Sequence, residues 1–137
     1  MHSRFLQVVV GAGMLAAFAL PMMAHHSFSA EFDRDKLVTL EGKVVEMEWV
    51  NPHSWLVIDV PKPDGTVDRW RIEGGSPSVL LRLGWNRNSL PPGTRIKVQA
   101  YQAKDGALRA SSRSIEFPDG RKMHMGGSGE TEEGRSK

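Results

Sequence analysis

Between Leu37 and Val60 apolar and polar residues alternate in two runs, broken by Asn51-Pro52-His53. Val38, Leu40, Gly42 and Val44 keep one phase and Val45, Met47 and Trp49 the other. A half-buried strand turns every second side chain inward, so both runs read as strands. A change of phase within one strand is what a single extra residue produces, which predicts a bulge at Val44–Val45 that bends the strand. Pro52 has no N–H for a ladder and restricts Asn51, so pairing ends there and His53 is left at the rim beside Ser54.

The second strand is predicted over Trp55–Val60, with Asp64-Gly65 as a hairpin turn into a third strand, Val67–Glu73, that points Trp70 and Ile72 inward. Gly74-Gly75 break that strand. Ser76 suits a helix cap, Pro77 the first turn and Gly84 the stop, with Val79, Leu80, Leu81 and Leu83 as the apolar side. Beyond a polar connection from Trp85 to Ser89, Pro91-Pro92-Gly93 turn the chain into a fourth strand, Arg95–Tyr101, with Ile96, Val98 and Ala100 inward. Asp105-Gly106 make another hairpin into a fifth strand, Ala107–Phe117.

This order predicts an all-β fold over residues 37–118, a small five-stranded OB-like β-barrel with one short helix between strands 3 and 4. An antiparallel sandwich is the competing architecture, and the position of the helix favours the barrel. Residues 25–36, HHSFSAEFDRDK, carry no sustained period and are expected to form a lead-in packed by Phe28 and Phe32. From Asp119 the chain is Gly-rich and charged, so residues 119–137 are expected to be disordered.

Composition narrows the setting. At 137 residues the chain has room for one domain. Residues 1–24 read as a signal peptide: Arg4, an apolar run from Phe5 to Leu20, then Pro21 and the small Ala24. The run is shorter than the roughly 20 residues a spanning helix needs, so no membrane span is expected after cleavage, and the expected compartment is the periplasm. Met22 is bulky for its place before the cut, so an uncleaved anchor competes. The chain has no cysteine, which excludes disulfides, thiolate metal sites and a lipid-anchored cysteine. Without Arg4 there are 17 basic and 16 acidic residues, a balance that argues against nucleic acid as a partner.

Cleavage after Ala24 would make His25 the first residue, with an α-amine and an imidazole able to chelate one metal ion. A third nitrogen from His53 would complete a histidine-brace site, with His26 as a substitute or extra ligand. Such nitrogens suit Cu(II), with Zn(II) second. A first strand of about 13 residues spans roughly 40 Å, which the lead-in matches only when extended. The plainer reading is a solvated terminus and a turn histidine bonded to nearby backbone. Met123-His124-Met125 is a second, softer set of ligands for Cu(I), more simply read as incidental.

The four tryptophans read mainly as core, with Trp55 and Trp85 as the exceptions that could face a ligand. Arg69 and Arg71 lie on the outward face of strand 3, where OB barrels bind extended ligands, so Trp55, Arg69, Arg71 and Trp85 are the candidate ligand-binding residues. The chain carries no Ser-His-Asp signature, Gly-rich phosphate loop or Walker pattern, and a non-enzymatic protein is expected.

HHSF, EGKVVEMEWVNPHSW, GGSPSVLLRLGW, NSLPPGTRIKV and AKDGALRASSRSIEFPDGRK together resemble an uncharacterised domain-of-unknown-function family of small exported Gram-negative proteins. The resemblance covers His25 to Lys122. It implies a periplasmic barrel and brings no activity with it. The expectation is therefore a periplasmic binding protein that holds copper through His25, His26 and His53. The alternative is a small-molecule, glycan or peptide module, or an envelope-complex subunit, that uses the barrel face without metal.

Overall fold

The structure, a computed structural model, describes residues 28–133. The expected signal peptide, His25 and His26 lie outside those residues. The first apolar run forms β1 (Phe32–Glu48), followed by β2 (Trp55–Pro61) and β3 (Val67–Glu73). Helix α1 (Pro77–Arg82) comes next, then β4 (Arg95–Ala103), β5 (Arg109–Glu116), β6 (Lys122–Met123) and α2 (Ser128–Glu133).

β1 serves two partners. Leu37 to Lys43 pair with β4, and Lys43 to Glu48 pair with β2. The ladder with β2 slips between Val44 and Glu46, leaving Val45 as the extra residue that the change of phase predicts. Leu40 and Val44 face the core on one side of the slip, and Met47 packs against it on the other. Sheet order is β3-β2-β1-β4-β5-β6, and a parallel pairing of β3 with β5 joins the first five strands into a ring. The other pairings are antiparallel. Leu56, Ile58, Ile72, Val98, Ala110 and Ile115 fill the interior and are buried.

The lead-in is not separate from the first strand, because β1 begins at Phe32, which pairs with Ala103. The ladder is irregular between Phe32 and Leu37, so the polar Asp33–Lys36 pass without an apolar period. Phe28, Phe32, Tyr101 and Ala103 form a second cluster, with the Phe28 and Tyr101 rings edge to face at 5.5 Å.

The helix buries less than its composition suggests. Ser76 caps it by accepting from the Val79 amide, and Leu80 is fully buried, but Leu81 and Leu83 are exposed. A six-residue helix presents little more than one side chain to the sheet it covers.

The region from Asp119 is ordered as far as it is described, against the expectation of disorder. Lys122 and Met123 form the unforeseen sixth strand on the edge of β5, and Met125 is fully buried. Gly74 makes room for it. A Cβ on Gly74 would stand 2.7 Å from the Met125 methyl, and the Gly75 amide donates to the Met125 carbonyl at 2.7 Å. Burying one methionine contributes about 1.5–3 kcal/mol, enough to dock a short segment that is otherwise polar. Among the described residues no helix is long and apolar enough to cross a membrane.

Candidate functional site

His53 is held where the corner after β1 meets the end of β3. Ser54 donates its amide to the Gly75 carbonyl and accepts from the Gly74 amide, both at 2.9 Å, which fixes the backbone beside the imidazole. The His53 Nδ1 lies 2.9 Å from Oε1 of Glu73 and 3.3 Å from the Gly74 carbonyl. Both neighbours are acceptors, so Nδ1 carries a proton towards them, which in a neutral ring leaves the lone pair on Nε2. The imidazole is partly exposed, at 38%, while the Glu73 side chain is buried at 7%.

The carboxylate continues into a polar chain. Ser128 Oγ donates to Glu73 Oε2 at 2.7 Å and lies 3.1 Å from Ser111 Oγ, which accepts from the Gly129 amide at 3.2 Å. Leu56, Ile72, Ala110 and Ala100 point into the core, so their neighbours Trp55, Glu73, Ser111 and Tyr101 line the outer face. These four are successive partners across β2, β3, β5 and β4. α2 covers the row. Gly129 is pressed against it so closely that a Cβ would come within 2.7 Å of the Tyr101 ring and 3.0 Å of the Phe28 ring.

One row of residues thus joins His53 to the place where the described chain begins. β1 curves around the ring and brings its two ends to the same face, because Phe32 pairs with the end of β4 and Glu48 with the start of β2. The straight 40 Å span assumed from strand length overstates the separation. Two residues separate His25 from Phe28, a reach of roughly 10 Å.

A second carboxylate, Glu130, pins the covering segment. It accepts from the amides of Met125 and Gly126 and from the Ser112 hydroxyl. Burial pushes its carboxyl above the ordinary range, against the pull of those amides, of nearby His124 and of Ser112.

The ligand-face residues fare differently. Trp85 is 2% exposed and donates its indole N–H to the His124 carbonyl at 2.6 Å, so it is core and not a ligand platform. Its place after the helix suggested a rim, but the residues around Met125 cover it. Arg69 forks onto Asp59, at 2.8 and 3.0 Å, and holds that carboxyl below its usual range. Arg71 reaches Glu48 at 2.7 Å and stacks over the partly exposed Trp55 ring at 4.9 Å. Both arginines are therefore engaged within the protein.

In the His53, Glu73 and Ser128 arrangement the carboxylate stands between the serine and the imidazole, which differs from the serine–imidazole–carboxylate order of an acyl-transfer triad. Among the described residues no group of three or more His, Asp or Glu side chains is placed to hold a metal. His124 sets its Nδ1 2.9 Å from the Arg113 carbonyl, and Met125 faces the core, which separates the Met-His-Met ligands. Sequence reasoning found His53 but missed Glu73 and Ser128. Glu73 is a lone carboxylate in sequence, and Ser128 lies in the stretch read as patternless.

Residues 12–112 match the model of a family of unknown function (DUF6152), and the chain belongs to that family. The match agrees with the resemblance carried by HHSF and EWVNPH and stops short of the covering segment. The N-terminal domain of PriB protein from Thermoanaerobacter tencongensis is a similar solved structure, at 22% identity and a TM-score of 0.40, covering 61% of this chain and 97% of that one. That likeness is too slight to bear on function. No curated protein matches the chain.

Proposed function

We propose that this member of the DUF6152 family is a periplasmic, non-enzymatic binding protein whose OB-like barrel holds Cu(II) at the rim through His53 and the nitrogens of a processed His25. The observation that carries the reading is the 2.9 Å contact between His53 Nδ1 and the buried Glu73 carboxylate. A histidine that binds metal through one ring nitrogen commonly donates the other N–H to a carboxylate, which fixes the tautomer and raises ligand basicity. Held in that manner, His53 would offer Nε2 to the metal. The α-amine and imidazole of His25 would add two nitrogens, and three nitrogens suit Cu(II). His26 stands next in line as a substitute or extra ligand.

Chain connectivity supports the reading. His25 lies three residues before Phe28, whose ring touches Gly129, and the adjacent Ser128 bonds to Glu73. The alternative, a small molecule, glycan or peptide held by Trp55, Arg69 and Arg71, has less support, because both arginines already have carboxylate partners.

The test is Cu(II) titration of chain beginning at His25, beside a form with one added N-terminal residue and a His53→Ala variant. The added residue destroys the terminal chelate, so both changes are expected to weaken binding to a similar extent. Equal affinity in the native and extended forms would contradict the reading.

A further inference from the structure

The ring is closed by few rungs. β3 and β5 pair, in parallel, only from Arg71 to Glu73 against Arg109 to Ser111. A groove of about 810 Å³, lined by residues from each of β1 to β5 and not by His53, falls within the roughly 300–1,000 Å³ that small-molecule sites occupy. Pro61, Val67 and Phe117 supply apolar lining, and Val67 is 56% exposed although it begins a strand.

Charges around the groove are unequally satisfied. Glu41 is paired with Lys97 at 2.9 Å, Glu116 with Lys122 at 3.3 Å, and Asp59 with Arg69 at 2.8 Å. Each lining carboxylate therefore has a cation. Lys43 and Arg95 remain, and among the described residues neither has an ion pair. They are direct partners across β1 and β4. Like charges directly opposite on neighbouring strands destabilise a sheet, and here two cations meet at the edge of the groove, while Asp59, the partner of Lys43 across β2, is held by Arg69. A guanidinium beside an ammonium suits a carboxylate or phosphate oxygen pair.

We infer that this groove is a second binding site, independent of the copper reading, for an amphipathic anion whose head sits between Lys43 and Arg95 and whose apolar body lies along Pro61, Val67 and Phe117. The head is a carboxylate or a phosphate monoester. A polar anion without an apolar body leaves the lining wet, and a cationic amphiphile meets two like charges.

The experiment is calorimetric titration of chain beginning at His25 with decanoate, decyl phosphate and decyltrimethylammonium, each kept below micelle formation. At least one anion is expected to bind one to one and about tenfold or more tighter than the cation, and the stronger of the two identifies the head group. The double variant Lys43→Ala, Arg95→Ala should remove that preference, and Val67→Glu should abolish binding of the anion. Removing the facing cations should leave the urea midpoint unchanged or raised, which separates loss of the site from loss of the fold. Equal binding of the cation, no binding by either anion, or full binding by the double variant would each overturn the site.

Discussion

The His53 imidazole and the Glu73 carboxylate meet at 2.9 Å, tying the corner after β1 to the last residue of β3. Glu73 also accepts from Ser128, so one buried carboxylate orients the imidazole and anchors α2. Glu73→Ala should weaken Cu(II) about 10–100-fold while leaving every proposed ligand in place. Glu73→Gln keeps a carbonyl acceptor and should lose less. Titration of both variants checks this, and unchanged affinity in Glu73→Ala would remove Glu73 from the site.

Gly42 sits where β1 passes from β4 to β2, and a Cβ there would stand 2.5 Å from the Asp59 carbonyl oxygen. Neighbouring backbone cannot give way cheaply. Gly42→Ala should therefore destabilise the fold by about 1–3 kcal/mol, read as a lower urea midpoint at constant slope.

Met125 tests whether the C-terminal segment belongs to the fold. Its side chain is fully buried against Gly74. Met125→Ala should cost about 2–5 kcal/mol and speed amide exchange at Gly75, which donates to the Met125 carbonyl. A disordered tail would leave both measurements unmoved.

Glu130 gives the segment a pH dependence. Burial raises its carboxyl above the ordinary 4.5, so the folded state favours the protonated form. The contribution of this group is fully present below the unfolded value and is lost as pH rises through the higher folded one. Glu130→Gln cannot ionise, so its stability relative to the native protein should increase between about pH 4 and about pH 7. Paired urea midpoints at the two values check the sign, and a relative stability that falls over that interval would contradict it.

The strands of the ring were legible because each buries one face. The slip at Val45, the hairpin at Asp64-Gly65 and the cap at Ser76 each left a local signature. What escaped depends on contacts distant in sequence. Gly74-Gly75 read as a strand break, whereas Gly74 clears space for Met125 and Gly75 for Val79 and the Gly126 carbonyl. Gly126, Gly127 and Gly129 read as flexible composition, yet Gly127 and Gly129 lie close against Ser112 and Tyr101. The candidate site divides in the same way: His53 stands out beside Pro52, while Glu73 acquires its partner only through the pairing of β2 with β3.

The central claim is tested most directly by electron paramagnetic resonance of chain beginning at His25 with one equivalent of Cu(II), recorded beside His53→Ala. The account predicts a nitrogen-rich signal in the native protein that loses one nitrogen's coupling in the variant. Identical spectra would show that His53 is not a ligand and would leave Glu73 holding a structural imidazole.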